Sequence, residues 1–374
     1  MIRILKAEHP DHFKDFVQFP FELYKGNPYW VPPITKEELE IIDQKRNPVF
    51  QNADASFFLA YKNDKLVGRV AAMVNWVEVR ELNKKKIRFG WFDFIDDPEV
   101  SKVLLLEVVK FGKSHKLDFI EGPVGFSNLD KAGLLVYGFD EMNTMITQYN
   151  YPYYAKHLED LGYQKLAQWV EYEMKIAPFE ESPEKIKRFS KIISERYDLK
   201  LLNFKKTTEI LPYVEQMFDL LAQTYNKLQT FVPVQPYQIK YYKEKYFKYI
   251  HPEFIKCVTD KSNILIAFVI IMPSFTKALK KVNGSFFPFG FLRVLWAQYF
   301  NNRASFYLIG VHPDYQNKGV TAMLFNDIQK TFNKRGITIV ETNPELEENK
   351  AIQQMWKNYE NRLHKKRATY SKNI

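Results

Sequence analysis

Residues 316–321 read Gln-Asn-Lys-Gly-Val-Thr, a set whose types and order suit the capture of an anion. The stretch before it, SFYLIGV (305–311), is rich in aromatic and β-branched residues and predicts a buried strand. After it, Val320, Met323, Leu324 and Ile328 fall at helical spacing, so a helix starts near Gly319. The first turn of a helix carries unpaired N–H groups at the positive end of the helix dipole, and both favour an anion. Gly319 has no Cβ to hold a ligand off the backbone, Lys318 adds charge and Thr321 a hydroxyl. Gln316, Asn317, Lys318, Gly319, Val320 and Thr321 are therefore the candidate cradle; the competing reading is a strand-to-helix turn that binds nothing.

The elements that must position this turn occur twice. FFLAYKNDKLVGRVAAMVN (57–75) predicts a hairpin, RFGWFDF a strand, VSKVLLLEVVKFGKSH a helix, LDFIEGP a strand, YAKHLEDLGY a helix and QWVEYEMKI a strand. The second half repeats the order, with a hairpin at 254–272, then SFYLIGV, a helix TAMLFNDIQKTFNKRG, a strand ITIVET and a helix NKAIQQMWKNYENRL. APFEESPEK (177–185), with two prolines and mostly polar residues, marks the boundary. The expected organisation is two α/β domains, 1–178 and 186–374, each a mixed sheet with helices on its faces.

Composition narrows the partners. The 374 residues carry a formal charge of +10, which suits an anionic partner, although surplus surface Lys such as Lys84, Lys85 and Lys86 on a turn would give the same balance. The basic residues are dispersed rather than interleaved with aromatics, so no nucleic-acid partner is expected. One cysteine and seven histidines without ligand spacing predict no disulfide and no metal site. Without a signal peptide or a membrane-length apolar run, the expected location is cytoplasmic.

The order of elements, with Gln316–Thr321 following SFYLIGV and NKAIQQMWKNY further on, resembles the GNAT superfamily of acyl-CoA-dependent N-acyltransferases, here as two tandem domains. LYKGNPYWVPP (23–33), GRVAAMVN (68–75), FGWFDF (89–94) and GLLVYGFDE (133–141) are similar to bacterial two-domain members, one branch of which resembles ceramide-forming acyltransferases. The resemblance implies acetyl-CoA or a longer acyl-CoA as donor, with its pyrophosphate on Gln316–Thr321. It implies pairing of the pantetheine amides with the backbone of Ile309, Gly310 and Val311, where Gly310 fits a bulge or splay, and a polar contact from Asn349. Thr321 stands where the family has Gly or Ala. In the first half, Asp96, Asp97 and Glu99 occupy the corresponding helix start and would repel pyrophosphate, so only the second domain should bind CoA.

Acylating a primary amine needs a base for the amine and a donor for the leaving thiolate. Glu341, at the end of ITIVET, is the candidate base; a salt-bridged carboxylate is its alternative. The family's acid Tyr falls seven residues after Asn349, at Trp356, so Tyr359 is the nearest phenol, or else a core residue. SFFPFGFLRVLWAQYF (285–300) lies where a short turn is usual and reads as a lid, a lipid-facing helix or domain packing. With HKKR (364–367), which could meet a 3′-phosphate, lipid head groups or only solvent, it points to a long acyl chain or lipid-like amine and to peripheral contact with the inner membrane. Two other readings share the fold: an aminoacyl-tRNA-dependent transferase, and a non-catalytic binding protein.

Overall fold

The structure, a computed structural model, describes all residues except 128, 182–183, 226–230, 246–249, 350–352, 354 and 358. The first half forms β1 (Ile2–Lys6), α1 (Pro10–Leu23), α2 (Thr35–Ile42), β2 (Ala53–Lys62), β3 (Lys65–Asn75), α3 (Trp76–Arg80) and β4 (Lys86–Phe94). It continues through α4 (Pro98–Ser114), β5 (Phe119–Gly122), β6 (Leu134–Tyr137), α5 (Tyr153–Asp160) and β7 (Gln164–Lys175). The second half forms α6 (Glu184–Tyr197), β8 (Lys200–Asn203), α7 (Val214–Tyr225), α8 (Pro236–Lys245), β9 (Ile255–Thr259) and β10 (Leu265–Pro273). There follow α9 (Thr276–Val282), α10 (Gly290–Tyr299), β11 (Arg303–Val311), α11 (Val320–Arg335), β12 (Ile339–Glu341), β13 (Glu345–Leu346) and β14 (Asn361–Asn373).

Two compact units result. The first is Met1–Val170 with Phe275–Arg293 and Lys365–Ile374; the second is Glu171–Ser274 with Val294–His364. The units divide at Val170/Glu171, and two later segments group with the first unit rather than the second. In the first unit the strands run β1-β2-β3-β4-β5-β14, antiparallel throughout except for the parallel β4/β5 pair. In the second they run β8-β9-β10-β11-β12-β7, again antiparallel except for β11/β12. The duplication expected from the sequence is thus repeated pairing by pairing.

The closing strand of each sheet comes from the other half of the chain. Tyr370 of β14 pairs with Gly122 of β5, and Lys175 of β7 with Ile339 of β12. Both β5 and β12 are short, and a strand on their outer edge satisfies N–H and C=O groups that would otherwise lie unpaired. This corrects two expectations. Asn361, Arg362 and Leu363, read as the end of a helix, begin β14 instead. His364, Lys365 and Arg367 of the basic run are buried. Lys365 donates to the Met142 carbonyl (3.2 Å), and Arg367 to the Gln148 carbonyl (2.5 Å) and Asn143 Oδ1 (3.2 Å).

One face of a helix seals each core. Val100, Leu104, Leu105 and Val108 of α4, and Val320, Leu324, Ile328 and Phe332 of α11, are buried at the spacing of a single helical stripe. The first hairpin turns at Asn63 and Asp64, both at positive φ (51° and 58°), the geometry a two-residue hairpin requires.

Lys86 is not turn decoration. It is buried in β4 with its Nζ 2.8 Å from Glu78 and 2.6 Å from Glu121. Arg88 beside it makes a two-pronged contact with Glu78, 2.7 Å at each prong. A buried cation is tolerated only with such partners, because removing one leaves an uncompensated charge in low dielectric. Glu78→Gln should therefore cost about 3–5 kcal/mol of stability, read as a lowered urea midpoint.

Candidate functional site

The parallel register of β11 and β12 lasts three residues, from Arg303 opposite Ile339 to Ser305 opposite Glu341. β12 then ends, while β11 runs on to Val311, so among the described residues Phe306–Val311 keeps β10 alone as a strand neighbour. A register shift faces this split. Ile270 lies opposite Leu308 and Ile271 opposite Phe306, leaving Tyr307 as the extra residue of a β-bulge.

Hydrogen-bond parity decides which backbone groups face the opening. The His312 N–H donates to the Ile266 carbonyl (2.8 Å), so Gly310 and Leu308, two and four residues back, also direct their groups to β10. Ile309 and Val311 direct theirs the other way. Their carbonyls are covered from α7 and the turn: the Tyr225 hydroxyl donates to Ile309 (2.7 Å), and Thr224 (3.2 Å) and Gln316 (3.3 Å) to Val311. Asn343 Nδ2 donates to the Tyr307 carbonyl, and its Oδ1 is buried without a partner. Gly310 is therefore neither the bulge nor on the open side. It is glycine because a Cβ would stand 2.6 Å from the Phe268 ring.

Where β11 ends, the candidate cradle begins. Asn317 (φ 61°) and Gly319 (φ 81°) are both left-handed, which turns the chain into α11. Among the described residues no side chain caps α11, and its first turn holds no acid. Val320 is buried, Thr321 is half-buried, and Gln316, Asn317 and Lys318 are exposed. The Lys318 ammonium rests 5.1 Å from the Tyr315 ring and 5.4 Å from that of Tyr197.

The same place in the first unit is closed. Asp97 caps α4 by accepting from the Glu99 N–H (2.9 Å), and it pairs with Lys62 (2.7 Å). On β4, Tyr153 donates to the Phe94 carbonyl (2.5 Å), Tyr154 accepts from the Phe94 N–H (3.2 Å), and the Val124 N–H donates to Phe89 (2.8 Å). The aromatic run around Tyr154 is thus packed against its own sheet.

Glu341 is buried and ion-paired. Arg303 donates to it at 3.2 Å and also to Glu173, whose second oxygen accepts from Arg362 (2.9 Å). His364 Nε2 lies 4.0 Å from the second oxygen of Glu341. Asn349 is exposed, its N–H on the Leu346 carbonyl (2.9 Å). Much of the expected helix after it lies outside the described residues. Tyr359 is half-buried in an apolar pocket with Met174, Phe306, Phe325 and Trp356, and burial pushes its phenol up to about 12. Cys257 is buried and its thiol is raised by burial, the opposite of an activated nucleophile. Among the described residues, no cluster of His, Cys, Asp or Glu could hold a metal ion, and no helix is long and apolar enough to cross a membrane.

The sequence reading missed Glu345. Trp356, which stands where an acidic Tyr was expected, donates its indole N–H to both Glu345 oxygens (2.9 and 3.0 Å). The residue as a whole is half-buried, yet desolvation pushes its carboxyl up to about 8, against the indole's opposing effect. Burial raises Tyr225 to about 12, with the Glu345 charge adding to it, so the two groups sense each other. The folded state holds a proton on Glu345 that the unfolded chain releases near 4.5, so this stability is full below that pH and is lost as pH rises through about 8. Glu345→Gln should flatten that loss, measured as urea midpoints between about pH 5 and about pH 9.

No protein-family profile matches the chain. It is 26% identical over 367 residues to Protein YghO of Escherichia coli (strain K12), covering 96% of this chain and 93% of that protein. It is 22% identical over 297 residues to the bacterial ceramide synthase of Caulobacter vibrioides, covering 79% and 76%. A tandem GNAT protein from the clavulanic acid biosynthesis pathway superposes over 100% of this chain and 98% of its own, with a TM-score of 0.58 and 8% identity. A GCN5-related N-acetyltransferase from Sphaerobacter thermophilus does so over 99% and 95%, with a TM-score of 0.53 and 10% identity. At these identities the likeness speaks for architecture: the chain has a tandem GNAT-like fold.

Proposed function

We propose that the second unit is an acyl-CoA-dependent N-acyltransferase module that passes an acyl group to a primary amine, with a lipid-like amine or a long acyl chain as its substrate class. The observation that carries this reading is the open edge of β11 leading into the uncapped start of α11. The donor supplies a thioester carbonyl and two kinds of handle, phosphates and amides. The residues present fit both. The backbone of Gln316–Thr321 offers donors to a pyrophosphate, with Lys318 as its charge. The N–H groups of Ile309 and Val311, the orphaned Asn343 Oδ1 and the exposed Asn349 offer partners to pantetheine amides. The first unit, with Asp97 capping α4, has no such cradle and takes a non-CoA role.

Glu345 takes the part of base in preference to Glu341, whose charge is engaged by Arg303. A carboxyl near 8 accepts a proton from the attacking nitrogen once ionised. Tyr359 stays protonated across neutral pH and is the donor to the leaving thiolate, with Tyr225, which senses Glu345, as the alternative phenol. The name of the Caulobacter relative supports a lipid-like acceptor.

Calorimetric titration with acetyl-CoA and palmitoyl-CoA tests the donor. Gly319→Glu sets a carboxylate at the cradle and forces a side chain onto φ 81°, so binding should fall about 100-fold or more. Lys318→Glu, free of that backbone strain, should weaken binding about tenfold. Neither donor binding the wild type would overturn the reading. In the acyl-transfer assay, kcat/KM should rise with pH to a plateau above about 8, and Glu345→Gln should abolish that dependence.

A further inference from the structure

We infer that the stretch Phe287–Phe300 is a docking element for an anionic phospholipid surface. α10 is amphipathic in the reverse sense for a globular protein. Leu292 (51% exposed), Trp296 (64%) and Tyr299 (51%) lie at helical spacing on its outer face, while Ala297 is buried on the other. Phe287 (86%) and Phe289 (69%) lead into it and Phe300 (64%) ends it, its ring stacked on Trp296 at 5.3 Å. Scattered exposed apolar residues need no partner, but large apolar side chains repeated along one helix face mark an interaction surface.

Charge selects the occupant. Between Asp260 and Asp314 the chain has no acidic residue and six Lys or Arg. Lys277, Lys281 and Arg293 of this stretch are exposed, and Arg293, next to Leu292 on α10, donates to the Lys281 carbonyl at 3.5 Å. Aromatic rings flanked by cations match the headgroup layer of a bilayer, where rings sit at the boundary and cations meet lipid phosphates. A second copy of this chain fits worse, because a two-fold contact would oppose Lys281 and Arg293 to their own equivalents. The inference stands independently of acyl transfer.

Flotation of the full chain with vesicles of phosphatidylcholine alone, and with about one-third phosphatidylglycerol, tests it. The chain should float with the anionic vesicles and less so as salt rises. Leu292→Ser/Trp296→Ser and, separately, Phe287→Ser/Phe289→Ser should each reduce partitioning about tenfold or more. Lys281→Glu/Arg293→Glu should remove the preference for anionic vesicles. Each variant should keep the wild-type thermal melt, since all these side chains are exposed. Absence of flotation, or double variants that float like the wild type, would overturn the inference. So would a concentration-dependent dimer in size-exclusion chromatography that the same variants abolish.

Discussion

A parallel strand pair that stops after three residues governs the second unit. Parallel strands need a crossover, and here α11 is that crossover, so the helix must begin where β11 ends. Because β12 terminates at Glu341, the distal half of β11 has an edge without a strand, and its backbone groups need other partners. Thr224, Tyr225, Gln316 and Asn343 supply acceptor cover from side chains. An opening lined by backbone amides and ended by a helix dipole follows from pairing geometry alone.

The first unit shows what the same pairing does when it is filled. Its β4/β5 register also lasts three residues, from Lys86 opposite Phe119 to Arg88 opposite Glu121. There the Val124 N–H, Tyr153 and Tyr154 take up the β4 backbone, and Asp97 satisfies the helix start. Protein groups satisfy both the strand and the helix start there. In the buried Lys86–Glu78–Arg88–Glu121 cluster beneath, removing any one member takes a counter-charge from at least one buried partner.

Two carboxylates near the split have different partners. Glu341 faces Arg303, whose guanidinium also holds Glu173 below the ordinary carboxylate range despite burial. Glu345 has an indole N–H and a phenol for neighbours, and its desolvation outweighs the opposing indole hydrogen bond.

The duplicated order of elements, the hairpin at Asn63–Asp64 and the turn at Gln316–Thr321 were legible in the chain. They rest on local periodicity and on residues such as Gly319, whose backbone requirement is written in its type. The acids at the α4 start were legible as caps for the same reason. Strand parity was not: that Ile309 and Val311 rather than Gly310 face the opening depends on a bulge at Tyr307, set by pairing with β10. Nor was the exchange of β7 and β14, which buried a basic run that reads as solvated. Glu345 was invisible because its raised carboxyl comes from the water that folding removes, against the pull of the Trp356 indole eleven residues on. Local sequence determines elements and turns; which charges lose their solvent, and which edges stay open, is decided only when distant segments pack.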